Sequence, residues 1–459
     1  MALARMWRRW CFGIIALLIS LSGAGPLAAQ ESTPNASPSP TTAASDWPTY
    51  HRDNARTGFV PGLPDPQHLA KAWSAELDGA VYAEPLVVGD WVIVATEGDS
   101  LYALDAATGD VQWKVNAGEP VPQSDLPCGN IDPLGITGTP VYDPATGLVF
   151  AVAEVRGDNG PAHLLLGVDV ATGDVRVRRS ADPPRIKPEA HQQRGALTLS
   201  QGKVYIAYGG LFGDCGDYHG TVVATRTDGQ GELLVFQVPT SREGGIWAPP
   251  GPVVDDQGNL FVSVGNGEAT EGDWDHSDSV LRLSPDLKLQ DGFAPNEWPD
   301  DNASDADLGS LGPVLLPDGL IFIAGKSGTG YLLYADALGG VGGQAAAAPV
   351  CAAFGGAAVV ASRIILPCTD GLREVEVGPG ATFTLGWQAS GGVDGSPVVG
   401  GQTVYATGSG GTLYALNLED GSVRAQVEVG TVSRFATPTL AGGRIFLGTM
   451  TGVVALTGS

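Results

Sequence analysis

The chain has 459 residues, and 43% of them are hydrophobic, so it is long enough to bury a large core. Its 66 glycines and 33 prolines leave little room for long helices and favour short strands joined by many turns. The 25 Lys and Arg residues against 50 Asp and Glu give a formal charge of -25, which argues against nucleic acid and anionic membranes as partners.

The amino terminus has the pattern of an export signal. Arginines within the first nine residues precede an apolar run at 11–19, and a stretch of small residues follows. This pattern predicts a secretory signal peptide over 1–29 rather than a permanent membrane anchor. Arg8 and Arg9 also fit a twin-arginine leader, but the residues after them do not complete that motif, so the general secretory route is favoured.

The segment after the leader has a different composition. Residues 30–45 are rich in Pro, Ser, Thr and Ala without apolar periodicity, and they are expected to form a disordered linker. The folded part is then a single domain over 46–459. The sequence predicts an extracytoplasmic protein (secreted, periplasmic or at the cell surface), monomeric and not inserted in a membrane after signal cleavage.

Four cysteines remain once the leader is removed: Cys128, Cys215, Cys351 and Cys368. An even number of cysteines in an oxidising compartment predicts two disulfides, and four cysteines allow three pairings. We favour Cys351–Cys368, because these two flank one short strand unit, and this choice leaves Cys128 with Cys215.

A strand pair recurs along the chain as a small residue, a proline and an apolar strand, followed by a turn and a second apolar strand. Six copies contain the proline and two have alanine instead; these positions are Pro85, Pro140, Ala196, Pro252, Pro313, Ala357, Pro397 and Pro438. A spacing of about 40–60 residues with about four strands per copy is typical of propeller blades. The sequence therefore predicts an all-β, eight-bladed β-propeller of four-stranded antiparallel blades.

The two ends of the repeat array are incomplete in a complementary way. The last copy ends after three strands, and a strand candidate at 72–77 precedes the first copy without a partner. Pairing these two segments would close the ring and protect both open strand edges.

The segment 103–113, Ala-Leu-Asp-Ala-Ala-Thr-Gly-Asp-Val-Gln-Trp, carries a recognisable motif. It resembles the Ala-x-Asp-x-x-Thr-Gly-x-x-x-Trp docking motif of quinoprotein alcohol dehydrogenases and their pyrroloquinoline-quinone-like propeller relatives. That superfamily includes quinone enzymes, an outer-membrane assembly scaffold and non-catalytic binding propellers. The resemblance therefore implies the fold but does not settle the function.

The enzymes of this superfamily hold quinone and Ca²⁺ in the central funnel, and the resemblance implies which residues would serve here. Asn266 matches the Ca²⁺-binding Asn, Lys326 matches the basic residue that contacts the quinone oxygens, and Asp305 and Asp307 lie in the segment of the catalytic Asp. The ligand Glu would fall near Leu211, which cannot coordinate Ca²⁺.

A polar cluster provides a second candidate site. His191, Gln192, Gln193 and Arg194 precede one predicted inner strand, and Trp247, which is also a candidate cofactor contact, precedes the next. Inner strands of a propeller begin at one mouth of the funnel, so these residues are expected to bind a polar ligand such as a sugar or a peptide carbonyl. Satisfied structural polar groups are the alternative interpretation.

Two interpretations of function follow. The leading one is an exported, non-catalytic propeller that binds a protein partner or a small polar ligand at the funnel mouth, with no cofactor and no metal site, because the ligand Glu is missing. The alternative is an oxidoreductase that uses pyrroloquinoline quinone and calcium to oxidise an alcohol or a sugar, for which Asn266, Asp305, Asp307 and Lys326 are the supporting residues.

Overall fold

The computed structural model of the protein describes residues 46–389 and 391–459. The predicted signal peptide and the predicted linker lie outside the described residues. The described helices are one α-helix, Trp298–Ser304, and three short 3₁₀ helices at Gln123–Asp125, Pro188–Ala190 and Leu308–Ser310. Within this part of the chain, no helix has the length and apolar character needed to cross a membrane.

The strands form eight antiparallel sheets, which are the blades of a β-propeller. The strands of each blade are given from the innermost outwards. Blade 1 consists of Leu86–Val88, Trp91–Ala95, Ser100–Asp105 and Val111–Asn116, and blade 2 of Val141–Asp143, Leu148–Gly157, Gly160–Asp169 and Val175–Ser180. Blade 3 consists of Thr198–Ser200, Lys203–Gly210, Thr221–Arg226 and Leu234–Gln237, and blade 4 of Val253–Val254, Leu260–Val264, Ser279–Leu283 and Leu289–Ala294.

The remaining four blades complete the ring. Blade 5 consists of Val314–Leu315, Leu320–Ala324, Thr329–Tyr334 and Ala346–Pro349, and blade 6 of Ala358–Val360, Arg363–Leu366, Arg373–Gly378 and Thr382–Gln388. Blade 7 consists of Val398–Gly400, Thr403–Gly408, Thr412–Asn417 and Val423–Glu428, and blade 8 of Thr439–Ala441, Arg444–Thr449, Gly452–Gly458 and Leu69–Glu76. The predicted eight-bladed fold is confirmed.

Three short strands extend individual blades. His191–Gln192 pairs with the second strand of blade 3, Phe59–Val60 pairs in parallel with the inner strand of blade 7, and Gly340–Val341 pairs in parallel with the outer strand of blade 4.

Burial along each blade explains why the strands have their composition. In blade 1, the residues of Trp91–Ala95 and Ser100–Asp105 are almost all buried, because neighbouring blades cover both of their faces. Val111–Asn116 is the outermost strand, and its exposed residues alternate with half-buried ones. Middle strands therefore appear in the sequence as continuous apolar runs, whereas outer strands show the alternation of a half-exposed sheet.

The ring closes through a strand from each end of the described chain. Leu69–Glu76 pairs antiparallel with Gly452–Gly458, and this pairing runs from Leu69 opposite Gly458 to Glu76 opposite Gly452. The predicted closing strand is therefore present and begins slightly earlier than expected. Without it, Gly452–Gly458 would have a free edge.

The motif over 103–113 joins one blade to the next. The Trp113 ring packs against Gly173 in the following blade, where a Cβ atom would lie 2.9 Å from the ring, and its indole N–H donates to the carbonyl of Val170 at 2.9 Å. Gly173 has a φ of +76°, so glycine is required there both for conformation and for space. The same arrangement joins Trp73 to Gly109 and Ala106, and Trp387 to Gly421 and Leu418.

The segment 46–60 runs along the inner strands of several blades. Backbone N–H groups donate to its carbonyls from Tyr142, Val254, Val359 and Val399, at 2.7 to 2.9 Å. These contacts reach blades 2, 4, 6 and 7, so the segment holds opposite sides of the ring together. No sequence motif predicts this role.

Arg56 anchors that segment in the centre of the molecule. Its buried guanidinium donates to the carbonyls of Pro250 and Leu197, both at 3.1 Å, and to the hydroxyls of Thr49 and Thr198 at 2.6 and 2.7 Å. If this donor were removed, the buried carbonyls would be left without a hydrogen-bond partner, and the folded state would lose stability.

Both predicted cysteine pairs are bonded in the structure. The Cα atoms are 6.0 Å apart in Cys128–Cys215 and 5.8 Å apart in Cys351–Cys368. The first pair connects the segment between blades 1 and 2 to a loop of blade 3, and the second lies within the region of blades 5 and 6.

We predict that Trp113→Ala lowers the free energy of unfolding by about 2–4 kcal/mol, because it removes a ring that covers the neighbouring blade together with its hydrogen bond. The exposed neighbour Gln112 is the matched control, and Gln112→Ala should change stability by less than about 0.5 kcal/mol. Urea denaturation of both variants measures the difference. Equal stabilities would show that the tryptophan does not dock the blades.

We also predict that Arg56→Met lowers the free energy of unfolding by about 3 kcal/mol or more, because several buried acceptors lose their donor at once. Lys71→Met, on an exposed position of the closing strand, is the control for loss of a positive charge. A loss of less than about 1 kcal/mol by denaturation would contradict the anchoring role.

Candidate functional site

A pocket of about 670 Å³ opens among loops that precede inner strands and loops that join the second and third strands of blades 3, 4 and 5. It brings together five residues that the sequence predicted: Arg194, Trp247, Asn266, Asp305 and Lys326. These side chains come from blades 3, 4 and 5 and the connections between them, and the functional roles expected for them stay predictions.

Hydrogen bonds on both sides hold Trp247 in the pocket wall. The N–H of Ile246 donates to the carbonyl of Tyr208 at 3.1 Å, and the N–H of Gly265 donates to the carbonyl of Gly245 at 2.8 Å. A Cβ atom on Gly209 would lie only 2.9 Å from the Cβ of Trp247, so this glycine leaves room for the indole. The two adjacent blades thus hold the backbone that carries Trp247.

Positive charges lie over aromatic rings in this pocket. The Arg194 guanidinium lies 4.4 Å from the centre of the Phe435 ring and 5.8 Å from that of Trp247, and the Arg434 guanidinium lies 4.3 Å from the centre of the Phe354 ring. Such contacts hold a guanidinium without neutralising it. Burial lowers the pKa of Arg194 to about 10, which leaves the group charged at neutral pH.

Neither guanidinium has an ionic partner in the part of the chain that the structure describes. No carboxylate oxygen of the described residues lies within 4.0 Å of a nitrogen of Arg194 or Arg434. Two nitrogens of Arg434, Nε and Nη2, are buried and have no hydrogen-bond partner among these residues. An anion in the pocket would therefore meet two cations that no carboxylate of these residues contacts directly, although the buried Glu97 interacts with Arg194 at longer range.

Lys326 lies between two carboxylates on the same wall. Its Nζ forms ion pairs with Asp305 and, at 2.7 Å, with Oδ2 of Asp307, and it lies 5.6 Å from the centre of the Trp247 ring. Asp305 lines the pocket and follows the helix Trp298–Ser304 with a φ of +54°, whereas Asp307 is fully buried. The helix end therefore places one carboxylate in the pocket and the other behind it.

The charges of this cluster depend on one another. Burial raises the pKa of Asp307 to about 6, and the ammonium of Lys326 keeps it from rising further. Burial lowers the pKa of Lys326, but the carboxylates of Asp307 and Asp305 together raise it, and the net pKa lies above the ordinary value of a lysine. Asp307 is therefore a carboxylate at neutral pH, where it faces the ammonium of Lys326.

Asn302, a helix residue that the sequence did not single out, supports the loop that carries Asn266. Its Oδ1 accepts from the N–H of Gly267 at 2.9 Å, and its Nδ2 donates to Ala269 and Ser277, each at 2.8 Å. The helix that ends at Asp305 thus also fixes the position of Asn266 on the pocket wall.

The other members of the predicted polar cluster lie away from the pocket lining. His191, Gln192 and Gln193 are buried, with 2 to 4% of each residue exposed. His191 Nδ1 bonds to the carbonyl of Lys187 at 2.8 Å, its Nε2 accepts from the N–H of His219 at 3.2 Å, and burial lowers its pKa to about 4. These contacts match the structural alternative for His191, while Arg194 is the member that reaches the pocket.

Sequence reasoning missed the aromatic residues Tyr82, Phe354 and Phe435, which line the same pocket. Each lies three residues before the Pro or Ala that begins an inner strand: Pro85, Ala357 and Pro438. An alignment of the segments preceding the eight repeats would have identified them, because a common offset from the inner strand places side chains at a common height in the funnel.

The pocket can be compared with what a quinone and a divalent cation each need. Pyrroloquinoline quinone is a flat tricarboxylate, and the indole of Trp247 with the unneutralised Arg194 and Arg434 suits such a ligand. A divalent cation fits less well: Leu211 lines the pocket with only 2% exposure, and no group of three acidic, His or Cys side chains within the described residues could hold a metal ion.

The fold and this pocket define a pyrroloquinoline-quinone-like propeller of the quinoprotein alcohol dehydrogenase type. The family described as outer membrane protein assembly factor BamB matches residues 70–254 and 380–458, which is more than half of the chain. The protein belongs to this family.

Three individual proteins illustrate the range of its relatives. A polyvinylalcohol dehydrogenase of Sphingopyxis sp. (strain 113P3) is 26% identical over 290 residues, which are 57% of this chain and 41% of that protein, so the match spans less than half of the relative's length. The quinohemoprotein alcohol dehydrogenase of Comamonas testosteroni superposes with a TM-score of 0.68 at 17% identity, covering 90% of this chain and 80% of that one. BamB of Moraxella catarrhalis gives 0.59 at 15% identity, covering 84% and 99%. The two structural matches establish the fold alone.

We predict that Asp307 takes up a proton with a midpoint near pH 6 in the folded protein, because it is buried, and that Lys326→Met moves this midpoint upwards by removing the stabilising ammonium. Carbon-13 NMR of the aspartate carboxyl groups measures the midpoint. The resonance is assigned by its loss in Asp307→Asn and its persistence in Asp305→Asn. A midpoint near the ordinary value of 3.8 would contradict the prediction.

Proposed function

We propose that this protein is an oxidoreductase that binds pyrroloquinoline quinone in the pocket beside Trp247 and oxidises an alcohol group. This is the alternative interpretation of the sequence rather than the leading one. The expectation that no cofactor binds finds no support among the dehydrogenase relatives, whereas the likeness to BamB keeps a non-catalytic propeller as the competing function.

The arrangement of cations and aromatic rings carries the proposal. A flat anion can stack on the indole of Trp247 while its carboxylates meet the guanidinium groups of Arg194 and Arg434. Because these guanidinium groups rest on Phe435 and Phe354 and have no carboxylate partner among the described residues, they are already in place for an anion. Preorganised charges of this kind avoid the entropy cost of ordering long side chains upon binding.

When bound, the quinone supplies the oxidising power: it accepts two electrons and two protons as the alcohol becomes a carbonyl compound. The protein contributes position and proton transfer. Asp305 lines the pocket and is the residue that we assign as the base that takes the hydroxyl proton at its carboxylate. Its partner Lys326 holds the carboxylate on the wall near Trp247.

Asp307 acts at a distance as a positioning residue. It is fully buried and pairs with Lys326 from behind, so an ionised Asp307 keeps the ammonium in place next to Asp305. Since burial raises the pKa of Asp307 to about 6, protonation below that pH breaks this pair and leaves Lys326 paired with Asp305 alone.

The substrate class follows from the relatives and the openness of the pocket mouth. The polyvinylalcohol dehydrogenase and the alcohol dehydrogenase both act, by name, on alcohols. Phe212 is 65% exposed beside the pocket and provides an apolar surface for a carbon chain that bears hydroxyl groups. The two disulfides are consistent with an extracytoplasmic location, where such a substrate would be met.

We predict that the purified protein binds pyrroloquinoline quinone and that Arg194→Met and Arg434→Met each weaken binding about tenfold or more, because each removes an unneutralised cation. Quenching of tryptophan fluorescence measures binding. Arg226→Met is the matched control, since this exposed arginine pairs with Asp228 away from the pocket and its loss should leave the affinity unchanged.

In the same preparation, Asp305→Asn is expected to retain quinone binding but lose alcohol oxidation, measured with an artificial electron acceptor and with both small secondary alcohols and polyvinyl alcohol. The rate of the wild type should fall below about pH 6 with the protonation of Asp307. A protein that binds no quinone would instead support a non-catalytic propeller that binds a protein partner or a small ligand.

A further inference from the structure

We infer that this pocket binds its flat anionic ligand without a divalent cation, because an ammonium group already occupies the carboxylates that a metal ion would use. The inference rests on the proposed function, which names the ligand. It departs from the calcium requirement that the resemblance to quinone dehydrogenases implies. To the missing ligand at Leu211, which the sequence already indicates, the structure adds the pairing of Lys326 with two carboxylates.

The residues that line the pocket include only two carboxylates, Asp214 and Asp305, and both are already engaged. The other side-chain oxygens of the lining, such as those of Asn130, Thr431 and Ser433, are uncharged. Asn266 offers one amide oxygen, and Asp305 is paired with Lys326. Asp214, on the opposite side, accepts a hydrogen bond from the hydroxyl of Tyr218 at 2.5 Å. Because Ca²⁺ needs about six to eight oxygen ligands, these groups form a poor coordination shell.

Lys326 would compete with a metal ion for the same carboxylates. Its ammonium is bonded to Asp305 and to the buried Asp307, so one side chain of the protein occupies both acidic groups of this wall and offsets one of their two negative charges. A divalent cation could reach them only by displacing Lys326 or by binding next to a like charge, and either arrangement is unfavourable at these distances.

Leu211 places an apolar side chain where a further metal ligand is expected. Its side chain is buried in an apolar cluster with Val121, Leu126, Ile131 and Leu134, and it also lines the pocket. The wall that could have provided a further carboxylate therefore provides hydrocarbon. The cluster is held beside the pocket by the neighbouring disulfide between Cys128 and Cys215.

The task of attracting an anion can be performed by fixed protein cations instead. Arg194 and Arg434 are positively charged, stacked on phenylalanine rings, and without a carboxylate partner in the described ranges. Together they bring two positive charges, which is the charge that one divalent ion would contribute. Their placement on two separate aromatic supports suits an anion with carboxylates at different edges of a flat ring.

Fluorescence titration of the full protein with pyrroloquinoline quinone, first in EDTA and then in excess CaCl₂, tests the inference. We expect binding in EDTA and a change of less than about twofold on adding calcium. A calcium-dependent gain of about tenfold or more would overturn the inference and leave the proposed function intact. If the quinone binds in neither buffer, the proposed function is wrong and this inference falls with it.

A second measurement uses the metal alone. Terbium(III), an analogue of calcium whose luminescence is sensitised by a nearby tryptophan, is titrated into the protein without quinone. We expect no pocket signal from the wild type, and a new signal from Lys326→Met, which frees both carboxylates, and from Leu211→Glu, which adds one. Leu211→Gln, similar in size but uncharged, is the matched control and should remain without signal.

The wild type decides the outcome even if a variant fails to fold. A terbium signal in the wild type that disappears in Asn266→Leu would place a metal ion in the pocket and overturn the inference. A wild type without this signal that nevertheless binds quinone in EDTA would support it, because the ligand would then be held by protein cations alone.

Discussion

The pairing of Leu69–Glu76 with Gly452–Gly458 is the contact on which the rest of the structure depends. A propeller that is not closed leaves unpaired backbone groups on two strand edges, and its blades are free to separate. Closure at the outermost strand of blade 8 is reinforced at the centre, where the segment 46–60 with Arg56 bonds to blades on opposite sides of the ring. The pocket exists only because this ring brings loops from distant parts of the chain to one place.

The eight blades could be predicted because each repeat shows its own local signals: an apolar inner strand after a small residue, a continuous apolar pair of strands, and in the best copies a tight turn that ends in glycine. The docking of Trp113 on Gly173 follows from the same motif. The role of Arg56 could not be predicted, because its acceptors are carbonyl oxygens far away in sequence, and backbone groups leave no trace in the composition.

The pocket was predicted in part for a similar reason. Asn266, Asp305 and Lys326 were recognised through resemblance. Arg434 belongs to no recognised motif, and Phe354 and Phe435 are marked only by their common distance from the following inner strand. Their function arises from pairs that form across blades, such as Arg194 on Phe435. The buried position of His191 and Gln193 shows the converse, since polar residues just before an inner strand can satisfy the backbone of their own blade instead of facing the funnel.

The charge of the whole protein restricts how an anion can be bound. With a formal charge of -25, the surface repels a free polyanion over distances within the Debye length, which is about 8 Å at physiological ionic strength. Affinity must therefore come from contacts at short range, where desolvated guanidinium groups act with little screening. Arg194 and Arg434 provide such contacts inside the funnel, and the aromatic rings beneath them hold these charges without cancelling them. An acidic propeller can thus select an anion that is flat enough to enter and stack, while other anions stay outside.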